Sequence, residues 1–303
     1  MTITYIGPEV EKRLDWIALT EAIRAGHGLP KAEVADSLLY RGKDTLLTRS
    51  AWVDGLGLAV KAATIFPGNG AIGKPSVLGA VNLFSDRDGD LEAVVDFRLV
   101  TKWKTAGDSL LAARLLARPD ARRILIVGAG TVAASMVEAY RAAFAHAEIA
   151  VWARQPEAAR AFAARNGVAV APDLETAVRD AEIIATATMA TEPLIRGAWL
   201  SPGTHLDLIG AYRPDMREAD SDCFRRASVF VDSRATTIEH IGDIRVPIAE
   251  GAIRPADVRG DFYDIAAGGF GRSHDEEITL CENGGGAHLD LMTARYILDA
   301  ARG

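Results

Sequence analysis

The sequence predicts an α/β fold, with a parallel sheet and crossover helices in the second half and an α+β part formed by the rest. After Pro119, short apolar runs alternate with stretches of helical spacing, as in βαβ units. A glycine-rich turn, Gly128-Ala129-Gly130, separates the first of those runs, RILIV, from a helical stretch. Between residues 36 and 97, short apolar runs separated by turn residues indicate a mostly antiparallel sheet instead.

The first part of the chain is expected to begin with a helix. Residues 9–26 carry apolar side chains at helical spacing, so one amphipathic helix is predicted there. The strands that follow include the apolar run at residues 55–66 and a hairpin that turns at residues 88–89. A long helix is predicted from about residue 101 to residue 117, ahead of Pro119.

The end of the chain is expected to return to this first part. Residues 284–302 begin in glycines and continue with helical spacing. We therefore predict a discontinuous first domain of residues 1–107 and 287–303. The second domain, residues 108–286, carries the parallel sheet.

Composition and charge limit the class of function. The 303 residues carry a formal charge of −7, whereas nucleic-acid binding needs a net basic face. No apolar run reaches the roughly 18–20 residues that span a bilayer, and the N-terminus does not resemble a signal peptide. The cysteines, Cys223 and Cys281, are too few for a metal cluster. We expect a cytoplasmic protein without a metal that binds neither nucleic acid nor membrane.

The glycine-rich turn predicts a dinucleotide site. Gly128 permits the tight turn, Gly130 lets a pyrophosphate approach the backbone, and Ala133 allows close packing of helix and strand. This strand–turn–helix context is typical of a Rossmann domain, in which the phosphates meet N–H groups at a helix N-terminus. The residues assigned to the dinucleotide are Thr105, Gly128, Gly130, Thr131, Val132, Trp152, Arg154, Thr186, Ala187 and Thr188.

The second strand of this domain indicates which dinucleotide is preferred. In NAD-binding domains its C-terminal end carries an Asp or Glu that accepts hydrogen bonds from the ribose. Here the strand IAVWARQ ends without a carboxylate, and Arg154 occupies that end. An arginine can pair with a ribose 2′-phosphate. NADP(H) is therefore favoured, and NAD(H) stays as the alternative.

Basic residues in the first part indicate an anionic substrate. Lys61 interrupts an otherwise apolar strand, and a buried ammonium without a partner is costly, so we expect it to bind a substrate anion. Lys104 is placed in the first turn of the predicted helix, where a cation opposes the helix dipole unless it binds an anion. Arg49 and Arg41 are further substrate-binding candidates.

Several longer stretches carry a further signal: VKAATIFPGN, LVTKWKTAGDSLLAARLLA, ILIVGAGTVA, IIATATMATEPLI, GTHLDLIGAYRPDMRE, SVFVDS and EITLCENGGGAHLDL. Through them the chain resembles the ornithine cyclodeaminase/mu-crystallin family over nearly its whole length. The resemblance implies an N-terminal substrate and dimerisation domain, a Rossmann domain, and a homodimer built through the first domain. It also implies that Lys61 and Lys104 contact the substrate.

Departures from the family pattern indicate the reaction. Cyclodeaminases of the family carry a catalytic Asp in the loop where this chain has Tyr212, and a phenol is a poor replacement for a carboxylate that handles protons. The R-P-D-M-R-E sequence that follows resembles that of the ketimine reductase branch of the family. Many members have Arg where this chain has Lys104. We therefore expect an NAD(P)H-dependent reductase of a small α-imino acid, with Δ1-pyrroline-2-carboxylate, reduced to L-proline, as the preferred substrate.

The candidate residues take these roles in that reaction. Lys61 and Lys104 hold the substrate carboxylate, and Tyr212 lies beside the nicotinamide. His288 and Asp290 either close the pocket or cap the last helix. The alternatives are an amino-acid dehydrogenase or iminosuccinate-type reductase, an ornithine cyclodeaminase, and a non-enzymatic NADP(H)-binding protein of the crystallin type.

Overall fold

The computed structural model describes residues 3–303, and the chain divides into two compact units. Unit 1 extends to Lys104 and resumes at Gly286–Gly303, whereas unit 2 is Thr105–Gly285. The sequence prediction placed these divisions after residues 107 and 286. Among the described residues, no helix combines the length and the apolar composition needed to cross a membrane.

Antiparallel strands dominate unit 1, as the turn-separated apolar runs predict. Within residues 3–303 its strands are β1 (Thr4–Ile6), β2 (Glu33–Arg41), β3 (Asp44–Val53), β4 (Gly57–Ile65), β5 (Val77–Phe84) and β6 (Leu91–Asp96). Their spatial order is β1-β6-β5-β4-β3-β2, with β1 parallel to β6 and the other neighbours antiparallel. The predicted turn at residues 88–89 joins β5 to β6, and Gly89 supplies a φ of 74° there.

The first helix of unit 1 is shorter than predicted. A 3-10 helix, Pro8–Arg13, comes first, and α1 (Trp16–His27) follows it, so the prediction of one helix over 9–26 was wrong. Asp15 separates the two because its backbone is extended and its carboxylate accepts the N–H of Ala18 at 2.8 Å. That arrangement starts a new helix.

The second α-helix, α2 (Phe97–Leu116), begins in unit 1, four residues before its predicted start at 101, and ends in unit 2. The carboxylate of Asp96 accepts the N–H of Leu99 at 2.8 Å, which satisfies a helix-terminal donor at that earlier position. Lys104 therefore lies in the third turn of α2. The argument that placed Lys104 against the positive end of the helix dipole was wrong.

Unit 2 has the parallel sheet that the alternating pattern predicts. Its elements are β7 (Arg123–Val127), α3 (Thr131–Ala143), β8 (Glu148–Trp152), α4 (Pro156–Asn166), β9 (Ala169–Val170), α5 (Leu174–Asp180), β10 (Ile183–Thr186), β11 (His205–Leu208), α6 (Ser221–Arg226), β12 (Ser228–Val231), α7 (Arg234–Thr237), α8 (Gly242–Ala249) and β13 (Thr279–Glu282). Among the described residues the strand order is β12-β13-β11-β10-β7-β8-β9, and neighbouring strands are parallel. This order is that of a doubly wound Rossmann sheet with β13 inserted near one edge.

The sequence did not predict β13 as a strand. Its four residues are fully buried between β11 and β12, and after Asn283 three glycines follow. A buried run this short has no periodicity that separates it from a loop. The next element, α9 (Ala287–Arg302), belongs to unit 1, where it packs against α1 and strands β2 to β6.

A buried polar network fixes β11 within unit 2. The carboxylate of Asp207 accepts a hydrogen bond from the Tyr140 hydroxyl at 2.7 Å and further bonds from Ser109 and Asn283. Burial raises the pKa of Asp207 to about 7, although these donors oppose the rise. Because the donors come from α2, α3 and the segment after β13, the network joins three elements to the centre of the sheet.

Candidate active site

The glycine-rich turn of unit 2 has the geometry of a dinucleotide loop. Gly128 has a φ of 127°, and a Cβ at this position would lie 2.5 Å from the carbonyl oxygen of Ala187. Gly130 is the N-cap of α3, and a Cβ there would meet open space. Ala133 is fully buried, as close packing of α3 on the sheet requires. The loop therefore leaves room for a ligand at the N-terminus of α3.

The predicted nucleotide-selecting residues lie at the end of β8. Trp152 is half-buried against the core, and its carbonyl oxygen accepts the N–H of Gly128 at 2.9 Å. Arg154 lies two residues after Trp152 and is exposed in the short connection that leads to α4. Within residues 3–303, no carboxylate forms an ion pair with Arg154. Its guanidinium is therefore available to an anion from solution.

Glu218, which sequence reasoning missed, organises the neighbouring strand ends. Its carboxylate accepts hydrogen bonds from the Thr186 hydroxyl (2.6 Å), from the N–H and hydroxyl of Thr188 (2.7 and 2.6 Å), and from the N–H of Gly210 (2.8 Å). The side chain is fully buried. The predicted crevice residues Thr186 and Thr188 thus use their hydroxyls to bind Glu218, while the Ala187 N–H donates to Val127. The sequence feature that could have indicated Glu218 is its position at the end of the R-P-D-M-R-E stretch.

Two further buried carboxylates surround Glu218. Asp243 accepts the N–H groups of Glu218 and Ala219 at 2.7 and 3.0 Å. Burial, with the charge of Glu218, raises the pKa of Asp243 to about 8, and burial raises the pKa of Glu282 well above its usual range. No group of His, Cys, Asp and Glu side chains in the described part of the chain is arranged to hold a metal ion.

In unit 1, two predicted substrate residues lie side by side on one face of the sheet. Arg49 on β3 and Lys61 on β4 are direct cross-strand partners, and Asp36 on β2 is opposite Arg49. Nε and Nη2 of Arg49 both lie 2.9 Å from Oδ2 of Asp36. Like charges directly opposite one another destabilise a sheet unless anions offset them. The row of Asp36, Arg49 and Lys61 therefore carries a net positive charge, which Asp36 offsets in part.

The structure corrects the expectation that Lys61 has no protein partner. Its Nζ donates to Oδ1 of Asp290 on α9 at 2.8 Å and lies 5.0 Å from the centre of the Phe97 ring. The side chain of Asp290 is 1% exposed and that of Lys61 is 11% exposed. Burial lowers the pKa of Lys61, and Asp290 acts in the opposite direction. Asp290 therefore does not cap α9: it is the counter-ion of Lys61.

Further basic groups surround this pair. His288 is the second residue of α9, two residues before Asp290, and packs edge-on against His27 with ring centroids 5.3 Å apart. Burial lowers the pKa of His288 well below its usual range, and the charges of Lys104, Arg49 and Lys31 lower it further. The predicted residues Lys104, Arg49 and His288 thus belong to one cluster. Sequence reasoning missed Lys31, because it lies in a loop without a motif.

Two predicted residues lie elsewhere. Arg41 is exposed and pairs with Asp44 at 2.9 Å. Arg41 lies five residues along β2 from Asp36. Because a strand rises about 3.4 Å per residue, Arg41 is roughly 17 Å from the row that contains Arg49. Tyr212 is 59% exposed in the loop after β11, and the guanidinium of Arg213 lies 5.4 Å from its ring centre.

Comparisons with known proteins agree with this arrangement. The profile of the ornithine cyclodeaminase/mu-crystallin family matches residues 50–303. A Δ1-pyrroline-2-carboxylate reductase from Paracoccus denitrificans is 52% identical over 292 residues, which are 94% of this chain and 92% of the relative.

Two solved structures have a closely similar fold. The Δ1-pyrroline-2-carboxylate reductase of Thermococcus litoralis, in complex with NADH and L-proline, matches with a TM-score of 0.89 and 27% identity, over 99% of this chain and 98% of that one. An archaeal alanine dehydrogenase dimer with bound NAD matches with a TM-score of 0.89 and 28% identity, over 100% of this chain and 97% of that one. By its family profile and its curated relative, the chain belongs to the ornithine cyclodeaminase/mu-crystallin family.

Proposed function

We propose that this protein is an NAD(P)H-dependent reductase of small α-imino acids, with Δ1-pyrroline-2-carboxylate, reduced to L-proline, as its preferred substrate. The observation that carries the proposal is the pairing of Arg49 and Lys61 on one sheet face, with Lys104 nearby. Their positive charges exceed the charge of the carboxylates Asp36 and Asp290, so the cluster suits a substrate carboxylate. Unit 2 supplies the dinucleotide loop.

The comparisons support the same chemistry. The Paracoccus denitrificans relative and the Thermococcus litoralis structure are both Δ1-pyrroline-2-carboxylate reductases, and the second holds NADH and L-proline. L-proline carries one carboxylate, which is the group that the basic cluster of unit 1 suits. A nicotinamide dinucleotide is the corresponding cofactor for unit 2.

The proposed reaction adds a hydride to the imine carbon of a protonated substrate. When bound, the reduced nicotinamide supplies that hydride. The iminium nitrogen already carries its proton, so the site needs orientation and carboxylate binding more than a strong acid. Lys61 and Lys104 hold the carboxylate, and Arg49, kept in place by Asp36, supports them. Tyr212 lies beside the nicotinamide when the dinucleotide is bound.

The first prediction tests the reaction class. NADPH oxidation is measured with Δ1-pyrroline-2-carboxylate and with 2-oxo acids plus ammonia, and ammonia release is measured with L-ornithine plus catalytic NAD⁺. We expect the cyclic imine to give the highest kcat/KM and L-ornithine to release no ammonia, because Tyr212 replaces the cyclodeaminase carboxylate. Conversion of ornithine to proline would contradict the proposal, as would a preference for 2-oxo acids with ammonia.

We further propose that NADPH is preferred over NADH. The support is Arg154, which is exposed at the end of β8 and has no carboxylate partner among residues 3–303. The same strand end lacks the acidic residue that binds a ribose 2′-OH in NAD-specific domains. A guanidinium there offers paired donors to a 2′-phosphate.

The second prediction concerns that arginine. Arg154→Ala should lower the NADPH over NADH ratio of kcat/KM about ten- to a hundred-fold, since a charged hydrogen bond contributes roughly 1.5–3 kcal/mol. Arg160→Ala is the matched control, because Arg160 is exposed on α4, the helix that follows Arg154, and pairs with Glu157. Equal use of both cofactors by the unmodified protein would rule out the assignment.

We also propose a homodimer built through the sheet of unit 1. On the sheet face opposite Lys61, large apolar side chains remain exposed: Leu39 (65%), Leu46 (38%), Trp52 (49%) and Leu78 (39%). Large exposed apolar patches typically mark protein interfaces. A second copy of this chain is the proposed partner, as in the archaeal alanine dehydrogenase dimer.

The third prediction concerns assembly. Light scattering should give twice the chain mass of 32.3 kDa for the unmodified protein. Leu46→Glu should shift the mass toward one chain, because it places a charge in the proposed interface. Val170→Glu, at the same 38% exposure but on β9 of unit 2, should leave the mass unchanged. A monomeric unmodified protein would contradict the proposal.

A further inference from the structure

We propose that Asp290 is the positioning residue of the anion site, holding the Lys61 ammonium charged and in place so that it binds the substrate carboxylate. This inference rests on the proposed function, because it takes Lys61 as the carboxylate-binding residue. Asp290 does not itself contact the substrate. It acts through Lys61.

The geometry separates the roles of the two side chains. Nζ of Lys61 lies 2.8 Å from Oδ1 of Asp290, and Oδ2 of Asp290 is buried with no hydrogen-bond partner in the described chain. Asp290 is 1% exposed, so a ligand that enters the site cannot meet it without a rearrangement. Lys61 keeps 11% of its side chain exposed, and this fraction is what an anion would meet.

The charges that face Lys61 come from several elements. Arg49 on β3 and Lys104 on α2 oppose its positive charge, whereas Asp290 on α9 supports it. Asp36 on β2 is engaged by Arg49 at 2.9 Å. Among residues 3–303, Asp290 is therefore the carboxylate that pairs with Lys61. Two residues before Asp290 on α9, His288 packs edge-on against His27, and the charge of Lys31 acts on His288.

These surroundings make the charge of Lys61 conditional on Asp290. Burial and two neighbouring cations favour the neutral amine, and Asp290 is the group that favours the ammonium. A neutral amine lacks the charge that binds a carboxylate strongly. Without Asp290, Lys61 would therefore lose its function at a pH where the unmodified protein keeps it.

The position of Asp290 is fixed by a rigid element. It is the fourth residue of α9, and its N–H donates to the carbonyl oxygen of Gly286 at 3.3 Å. A carboxylate in the first turn of a helix is also stabilised by the helix dipole. Because α9 packs on α1 and on β2 to β6, the carboxylate reaches Lys61 at a defined point. Rigid support of this kind is what precise ligand binding requires.

The test compares Asp290→Asn with Asp299→Asn. Both variants remove one negative charge from α9, but Asp299 is exposed near the other end of the helix. In protein labelled with ¹³C at the lysine ε-carbon, the Lys61 signal is assigned by its loss in Lys61→Arg. We expect Asp290→Asn to lower the titration midpoint of Lys61 by about one unit or more, and Asp299→Asn to leave it unchanged.

The same variants are assayed with Δ1-pyrroline-2-carboxylate across pH. In Asp290→Asn the alkaline fall of kcat/KM should move to lower pH by the same amount, with NADPH affinity retained. A loss of activity that is equal at every pH, or an unmoved Lys61 midpoint, would overturn the proposal. If the unmodified protein reduces no imino acid, the proposed function fails separately, and the Lys61 midpoint still decides whether Asp290 sets its charge.

If Asp290→Asn does not fold, Asp290→Glu decides the question. Glutamate keeps the charge but moves it by one methylene. The proposal then predicts an unmoved pH profile with kcat/KM lowered at least about fivefold, because the ammonium is displaced. Unchanged kcat/KM in Asp290→Glu would overturn the positioning role.

Discussion

A buried ion pair, Lys61 on β4 with Asp290 on α9 at 2.8 Å, is the constraint on which the account of unit 1 depends. It joins residues that are 229 positions apart in the chain. A buried ammonium and a buried carboxylate each carry a large desolvation cost, and each is tolerated because the other is present. The return of the chain to unit 1 at Gly286 is therefore a condition for keeping a charged lysine inside an apolar sheet.

Unit 2 uses buried carboxylates for a different purpose. Glu218 gathers the N–H and hydroxyl donors of Thr186, Thr188 and Gly210 at the ends of β10 and β11. Without a hydrogen-bond acceptor, these buried N–H and hydroxyl groups would destabilise the folded protein. The result is a fixed crevice edge near the glycine-rich turn, where open α/β sheets bind their ligands. In unit 2 the buried carboxylate of Glu218 holds strand ends and a loop in place. In unit 1 the buried carboxylate of Asp290 keeps Lys61 charged.

Local patterns were enough to predict much of this structure. The parallel alternation, the antiparallel run and the Gly128 turn all depend on residues close together in sequence, and the structure has each of them. Lys61 also stood out locally, because a lysine in an apolar strand needs an anion. The pairing of Arg49 with Lys61 was not predicted, since it depends on the register between β3 and β4.

What the sequence did not predict depends on contacts made after folding. Asp290 was ambiguous because its partner lies on a strand far away in the chain. Glu218 lay in a recognisable stretch, but its hydrogen-bond partners come from other strands. Lys31 carried no local pattern, and β13 is too short to have one. We predicted the start of α2 four residues too late. The prediction followed the helical spacing that begins at Thr101, whereas the Asp96 carboxylate caps the helix at Phe97. Each of these errors reflects a tertiary or capping interaction that overrides periodicity.

The most direct test of the central claim is turnover by Lys61→Met/Asp290→Asn, measured beside NADPH affinity by fluorescence titration. Changing both residues avoids a buried unpaired charge, and replacement of a whole buried pair is often tolerated. We predict that kcat/KM for Δ1-pyrroline-2-carboxylate falls by roughly two to four orders of magnitude, the loss of about 3–5 kcal/mol of charge pairing, while NADPH affinity is nearly unchanged. Turnover within a few-fold of the unmodified protein would contradict the account, because the substrate carboxylate would then bind somewhere else.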